Sequence, residues 1–206
     1  MRLRFARVLL LLWVGPAAAA TRTFPIDSRT SIVHIHVGKT GLGSFAGGHE
    51  HEVIARSVQG EVAADFEDLS RSSVEVTFDA TSLAVIPQGE PEGDAQKVEQ
   101  AMKGPQVLDA RSFPSIRFRS RLVTGKQLSQ SSYELKVTGD LSLHGVEQPI
   151  VVPLQIEVRG DALTAIGKVV VKQSDFGIEP TSAAGGLVKV EDEVTVTFRI
   201  AAREGA

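Results

Sequence analysis

The stretch Val194-Thr195-Val196-Thr197-Phe198-Arg199-Ile200 alternates apolar and polar side chains without a break. Successive side chains of a β-strand point to opposite faces of its sheet, so a period of two predicts a strand with one dry face and one wet face. Similar stretches recur along the chain after Thr21, with turn-forming residues between them. The repeated pattern predicts an antiparallel sheet that curls around an apolar interior.

Eight stretches of this kind are present, and eight strands are enough to close a small barrel that can hold one ligand. The sequence therefore predicts an all-β fold, an eight-stranded antiparallel barrel within a single domain. The predicted strands are 32–37, 53–64, 73–81, 115–124, 133–143, 150–159, 163–172 and 193–202.

One segment breaks the alternation. Residues 87–94 are acidic and rich in Pro and Gly, which predicts a mobile loop. A short helix is predicted to follow over 95–103, with Asp94 as its N-terminal cap. Val98 and Met102 are four residues apart and would form the apolar stripe of this helix. The helix would either cover one end of the barrel or pack on the outside of the sheet.

The first twenty residues have a different character. Three arginines precede a short apolar run, 8–14, and four alanines end at Ala20. This order is typical of a secretory signal peptide, cleaved here after Ala20. The apolar run is much shorter than the roughly 20 residues that a membrane-spanning helix needs. The predicted organisation is a signal peptide, 1–20, and one periplasmic or secreted domain, 21–206, that does not span the membrane.

Composition excludes several classes of function. The formal net charge is −3 and no Lys/Arg cluster is present, which disfavours binding to nucleic acid. The chain has no Cys, so disulfides, catalytic thiols and thiolate metal sites are absent. Phosphate-binding glycine loops and the common hydrolase motifs are also missing, which predicts a protein that is not an enzyme. An acidic turn, Asp65, Glu67 and Asp68, is expected to be solvated.

Three motifs carry a resemblance to a known family. Residues 108–118, L-D-A-R-S-F-P-S-I-R-F, resemble a D-x-x-x-F-P-x-I-x-F motif that leads into a strand. Residues 139–146, G-D-L-S-L-H-G-V, resemble a G-x-L-T-I-x-G-V turn, and 174–178, S-D-F-G-I, resemble an R-x-D-F-G-I motif. In this order and spacing they resemble the YceI-like family of secreted bacterial proteins, over roughly residues 23–203. The resemblance implies a lipocalin-like barrel whose apolar tunnel holds a polyisoprenoid or another long-chain amphiphile.

The leading hypothesis is an exported binding protein that carries or sequesters such an amphiphile, for example a polyisoprenoid, an isoprenoid quinone or a fatty acid derivative. No cofactor is required. The inward faces are aliphatic, and Gly60, Ala165 and Gly167 would leave room for a flexible chain, although a filled core would show the same pattern. The predicted ligand-binding residues are Val33, Ile35, Val76, Phe78, Phe118, Leu135, Val152, Leu154, Val169 and Phe198.

The motif residues are predicted to shape turns rather than to catalyse a reaction. Gly145 and Gly177 are placed where a turn needs a positive φ. Asp109, His144 and Asp175 would form caps and turn hydrogen bonds, with contact to a ligand head group as the alternative. An exposed barrel edge would also allow pairing with a second copy, as a homodimer.

Four histidines form two His-x-His pairs, His34/His36 and His49/His51. If the hairpin folds about residues 38–48, His36 falls opposite His49 and His34 opposite His51, so that all four share one face. Imidazole is a good ligand for zinc and copper. The alternative function is therefore a metal-binding or metal-dependent protein that uses these four residues. Alternatively, His34 and His36 lie on the wet face of the strand and bind nothing.

Overall fold

The structure is a computed structural model of the chain. It describes residues 21–40, 50–90, 92–180, 182–183 and 188–205. The predicted signal peptide, 1–20, and His49 lie outside the described residues. No helix in the described ranges is long and apolar enough to cross a membrane.

The described residues form twelve β-strands, three short 3-10 helices and one α-helix, α1, over Asp94–Lys103. The strands are β1 (Arg22–Pro25), β2 (Ile32–Thr40), β3 (His51–Ala55), β4 (Val58–Ala64), β5 (Ser73–Asp79), β6 (Ala84–Val85), β7 (Ser115–Gln127), β8 (Ser132–Leu143), β9 (Val146–Arg159), β10 (Ala162–Lys172), β11 (Ser182–Ala183) and β12 (Val188–Arg203).

All twelve strands belong to one antiparallel sheet. Its order is β1-β4-β5-β7-β8-β9-β10-β12-β2-β3-β6, and β11 pairs with β12. The sheet curls back on itself, because Ile26 forms a bridge with Ala202 and the Asp27 N–H donates to the Ala201 carbonyl at 2.8 Å. The strand at one end of the order, β1, thus meets β12. The predicted all-β, curled antiparallel fold with one helix is confirmed.

The predicted count of eight strands is not confirmed. The stretch predicted as one strand, 53–64, is divided into β3 and β4 at Arg56 and Ser57. This break lets one continuous segment change neighbours, since β3 pairs with β2 and β6 whereas β4 pairs with β1 and β5. The short strands β1, β6 and β11 lie outside the predicted stretches.

Helix α1 follows the predicted loop, but its N-terminal cap is not the predicted residue, Asp94. Its N-cap is Gly93, which makes no side-chain capping bond, and Asp94 is the first helical residue. The carboxylate of Asp94 stabilises this first turn through the helix dipole and an ion pair with Lys97 at 2.9 Å. The predicted end of the helix at Lys103 is confirmed, and Gly104 is its C-cap.

The two ends of the curled sheet differ. The end that we call the helix end carries α1, the first residue of β3 and the turn between β8 and β9. The opposite end, called the closed end, is filled by aromatic side chains. Phe24 is fully buried there, and its ring lies 6.3 Å from that of Phe66, edge to face. Phe66 lies 5.4 Å from the ring of Tyr133, and the Arg22 guanidinium sits 4.9 Å from the Phe24 ring centre.

Asp65, next to the closed end, is buried rather than solvated as the sequence predicts; only 1% of its side chain is exposed. Its carboxylate accepts hydrogen bonds from the N–H groups of Glu67 and Asp68, at 3.1 and 2.9 Å, and contacts the guanidinium of Arg71. These contacts lower the pKa of Asp65, the backbone hydrogen bond from Asp68 most of all. Asp65 is therefore a structural residue of the turn after β4.

The lowered pKa of Asp65 predicts a pH-dependent contribution to stability. A carboxylate whose pKa is depressed by folding stabilises the fold above its unfolded pKa of about 3.9, and the contribution is lost as the pH falls through the folded-state value. We expect Asp65→Asn to lower the thermal unfolding midpoint by several degrees at neutral pH. The difference in midpoint between the variant and wild type should become smaller below about pH 4. Calorimetry of both proteins over this range is the test. The exposed neighbour Glu67→Gln should match wild type, and a gap that stays constant with pH would contradict the assignment.

Candidate ligand-binding cavity

The curled sheet encloses a cavity of about 440 Å³. This volume lies within the range of roughly 300–1,000 Å³ that is usual for small-molecule sites. Every second side chain of the surrounding strands faces the cavity, as the alternation in the sequence predicts. Helix α1 contributes Val98, Ala101 and Met102 to the wall, so it covers part of the helix end rather than lying outside the sheet.

All ten residues that were predicted to line the tunnel lie on the cavity wall: Val33, Ile35, Val76, Phe78, Phe118, Leu135, Val152, Leu154, Val169 and Phe198. Strand β9 shows how sharply the two faces are separated. Val152 faces the cavity and is 8% exposed, whereas its neighbour Val151 points outward and is 52% exposed. The contact of these residues with a ligand stays a prediction.

Of the three small residues that were predicted to leave room in the interior, only Ala165 lines the wall. A Cβ at Gly167 would overlap the ring of Phe198 and lie 3.0 Å from the Cβ of Leu154, so larger side chains already occupy the space beside this glycine. A Cβ at Gly60 would overlap the backbone of Glu75 in the next strand. These two glycines serve close packing and do not enlarge the cavity.

The wall is almost entirely apolar. Among the described lining residues only His51, Ser72 and Gln173 are polar, and none is Lys, Arg, Asp or Glu. Ser72 accepts a hydrogen bond from the Asp65 N–H at 3.0 Å, and the Gln173 amide donates to the Glu191 carbonyl at 2.7 Å. Because an unpaired charge is very unfavourable in such surroundings, the cavity suits an apolar chain and excludes a highly charged molecule.

The predicted gathering of four histidines is wrong. The hairpin pairs Val37 with His51 and His36 with Glu52, so its register differs from the predicted one by an odd number of residues. Such a shift moves every side chain of one strand to the other face. His34 and His36 alternate with Val33 and Ile35 and therefore lie on the outer face. Because His51 pairs with Val37, it lies on the other face and lines the cavity.

Two of the described histidines, His36 and His51, pair with carboxylates and not with another histidine. Nδ1 of His36 lies 2.6 Å from Glu52 on the outer face. Nδ1 of His51 lies 2.6 Å from Oε1 of Glu90 at the helix end. Within the residues that the structure describes, no three His, Cys, Asp or Glu side chains are grouped so that they could hold a metal ion.

The sequence of the strands and of the turns that shape this cavity matches a known family. The match, to the YceI-like domain, covers residues 24–202. The chain belongs to the YceI-like family. Its curated relatives include a UPF0312 protein of Vibrio campbellii, 25% identical over 194 residues, which are 91% of this chain and 93% of the relative. A UPF0312 protein of Vibrio parahaemolyticus is 26% identical over 158 residues, 76% of this chain and 75% of the relative.

Solved structures share the YceI-like fold. Burkholderia cenocepacia BcnA superposes with a TM-score of 0.65 at 21% identity, over 85% of this chain and 98% of BcnA. The Campylobacter jejuni YCEI protein superposes with a TM-score of 0.57 at 16% identity, over 75% of this chain and 85% of that protein. At these identities the similarity shows a common fold.

The three YceI-like motifs meet at the helix end. The rings of Phe113 and His144 lie 5.2 Å apart, edge to face, and a Cβ at Gly145 would overlap the Phe113 ring. His144 Nδ1 is 3.3 Å from the Phe176 carbonyl, which joins the second motif to the third. The predicted positive φ is confirmed at Gly145, 74°, and at Gly177, 71°. These contacts hold turns together.

The three polar motif residues with a predicted structural role, Asp109, His144 and Asp175, do not line the described cavity wall. The carbonyl of Asp109 accepts hydrogen bonds from the N–H groups of Ser112 and Phe113, at 2.9 and 2.8 Å. The carbonyl of Asp175 accepts one from the Gln148 amide at 3.0 Å. Their position favours the structural role over contact with a head group. His51, which does line the cavity, is marked in the sequence by its His-x-His pair, whereas no motif marks its partner Glu90.

Proposed function

We propose that this YceI-like protein binds the apolar chain of a long-chain amphiphile, such as a polyisoprenoid, an isoprenoid quinone or a fatty acid derivative, and carries or stores it without chemical change. One observation carries the proposal: a cavity of about 440 Å³ whose described wall is apolar except for three side chains. A wall of this kind offers burial and dispersion contacts to a chain, and it offers no constellation of acid, base and nucleophile.

The driving force is sufficient for tight binding. Each methylene group that leaves water for an apolar site contributes about 0.8 kcal/mol, so ten of them contribute about 8 kcal/mol before the costs of association. Part of this is offset by the loss of translational freedom and by the ordering of a flexible chain. Chains of this length dissolve poorly in water, so an aqueous compartment needs a protein to hold them.

The proposed place of action is the periplasm or the extracellular medium. The sequence of residues 1–20 supports this proposal, because a short apolar run between arginines and an Ala-rich cleavage site is typical of exported proteins. The absence of Cys from the chain means that the exported domain is held together by its sheet and core alone.

Native mass spectrometry of the mature protein, purified from its own cells without detergent, tests the proposal. We expect a complex with about one amphiphile per protein, and denaturation followed by organic extraction should release a molecule with a long apolar chain. The mass of the released species identifies it. A protein that is consistently free of extractable amphiphile, and that does not take one up from lipid vesicles, would contradict the proposal.

A further inference from the structure

A polar pair interrupts the apolar surroundings at the helix end of the cavity. His51, the first residue of β3, lines the cavity and keeps 19% of its side chain exposed, which places it at the rim. Glu90 lies in the turn that begins at Pro87, where its N–H donates to the Pro87 carbonyl at 3.1 Å. Although the sequence predicts a mobile loop here, the Glu90 side chain is only 3% exposed. The two side chains meet at 2.6 Å, Nδ1 to Oε1.

Two hydrogen-bonding positions of this pair are not used by the contact between Nδ1 and Oε1. Oε2 of Glu90 is buried and has no hydrogen-bond partner within the described part of the chain. Nδ1 of His51 is engaged by Glu90, which leaves Nε2 for another group. Buried polar atoms without partners are rare in proteins because they have lost their water and gained nothing in exchange. Oε2 is covered and Glu90 is not among the lining residues, so a ligand in the cavity would meet the pair at Nε2 of His51.

The charge of Glu90 restricts what that polar end can be. A carboxylate or phosphate head group would be repelled by a buried carboxylate, and no Lys or Arg side chain among the described lining residues would offset the repulsion. A hydroxyl group is uncharged, and it can both donate and accept a hydrogen bond. It can therefore donate to Nε2 of His51, whose Nδ1–H is held by Oε1 of Glu90.

We propose that His51 and Glu90 form a head-group site that selects amphiphiles ending in an uncharged hydroxyl, such as long-chain alcohols or phenols; this inference rests on the proposed binding of an amphiphile in the cavity. His51 contacts the hydroxyl. Glu90 is a positioning residue, because a carboxylate that accepts the Nδ1–H fixes the tautomer and orientation of the ring. Its negative charge also rejects anionic head groups.

Three compounds with the same chain test this site: dodecanol, dodecyl methyl ether and dodecanoate. Their affinities for the lipid-free mature protein are measured by displacement of the neutral fluorescent probe N-phenylnaphthylamine. We expect the wild-type protein to bind dodecanol about tenfold more tightly than the ether, the usual effect of one additional hydrogen bond. We expect dodecanoate to bind at least about tenfold more weakly than dodecanol, because its charge faces Glu90.

Matched variants separate the two roles. His51→Phe should bind the ether as wild type does and lose the preference for dodecanol, and His51→Leu serves as a second variant of the same kind. Glu90→Gln keeps an oxygen that accepts the Nδ1–H, so it should retain the preference for dodecanol while its discrimination against dodecanoate falls to a few-fold. His34→Phe, on the outer face of the same hairpin, should leave all three affinities unchanged.

The outcomes distinguish this site from the cavity itself. If wild type binds dodecanol and the ether equally, or if His51→Phe and His51→Leu keep the preference for dodecanol, the head-group site is overturned and amphiphile binding stands. Unchanged rejection of dodecanoate by Glu90→Gln would overturn the role of the Glu90 charge. If wild type binds none of the three compounds, the proposed function is overturned together with this inference.

Discussion

We expect Val152→Arg to reduce retention of a long-chain amphiphile by at least about a hundredfold, since several kcal/mol are lost when an unpaired charge is placed in an apolar site. Val152 lies on the cavity wall in the middle of β9, opposite Val137 of β8. A guanidinium at this position either stays in the cavity without a partner or extends through the volume that the ligand chain would occupy. The amount of amphiphile extracted per mole of purified protein measures the effect.

Val151→Arg is the matched control for this experiment. It places the same side chain one residue earlier in β9, on the outer face, where the native valine is 52% exposed. We expect Val151→Arg to retain as much amphiphile as wild type, and circular dichroism should show the same sheet content in all three proteins. Equal retention by folded Val152→Arg and by Val151→Arg would show that the amphiphile does not lie in the cavity.

The second large effect is expected at the closed end, where Phe24→Ala should destabilise the protein by about 3–5 kcal/mol. Phe24 is fully buried, packs against Phe66 and lies beneath the guanidinium of Arg22. Removing its ring leaves a void beside the sheet and takes away the surface on which Arg22 rests. Urea unfolding measured by fluorescence or circular dichroism gives the free energy of unfolding.

Two control variants are compared with Phe24→Ala by their free energies of unfolding. Phe24→Leu keeps most of the apolar volume and should cost less than about 1.5 kcal/mol. Leu122→Ala removes a side chain that is 44% exposed and should change stability by no more than about 0.5 kcal/mol. A loss below about 1 kcal/mol for Phe24→Ala would show that the closed end is not held by this ring.

The faces of the strands were predictable from the sequence because alternation is a local property. Each of the ten predicted lining residues lies on the cavity wall, and the choice between Val151 and Val152 needs nothing beyond the pattern around them. The positive φ at Gly145 and Gly177 was predictable for a similar reason, since each glycine stands in a short motif that specifies a turn.

Features that depend on distant parts of the chain were not predictable. The His-x-His pairs alone could not show that His51 faces inward, because the long segment between β2 and β3 leaves the register of their pairing open to sequence reasoning. Glu90 meets His51 across 39 positions, from a stretch whose composition is typical of an exposed loop. The sequence around Asp65 is typical of an exposed acidic turn, and it does not show that N–H groups of the same turn donate to the Asp65 carboxylate.

The bridge between Ile26 and Ala202 also bears on the order in which the sheet is completed. It joins residues near opposite ends of the chain, as do the hydrogen bonds between Ser31 and Ala201, which are separated by 170 positions. Contacts this distant in sequence carry the entropic cost of closing a long loop. Until β12 has been synthesised, β3 is the only one of the described strands that can pair with β2. A partly made chain therefore has no enclosed interior, and under the proposed function the amphiphile enters only after the last strand is complete.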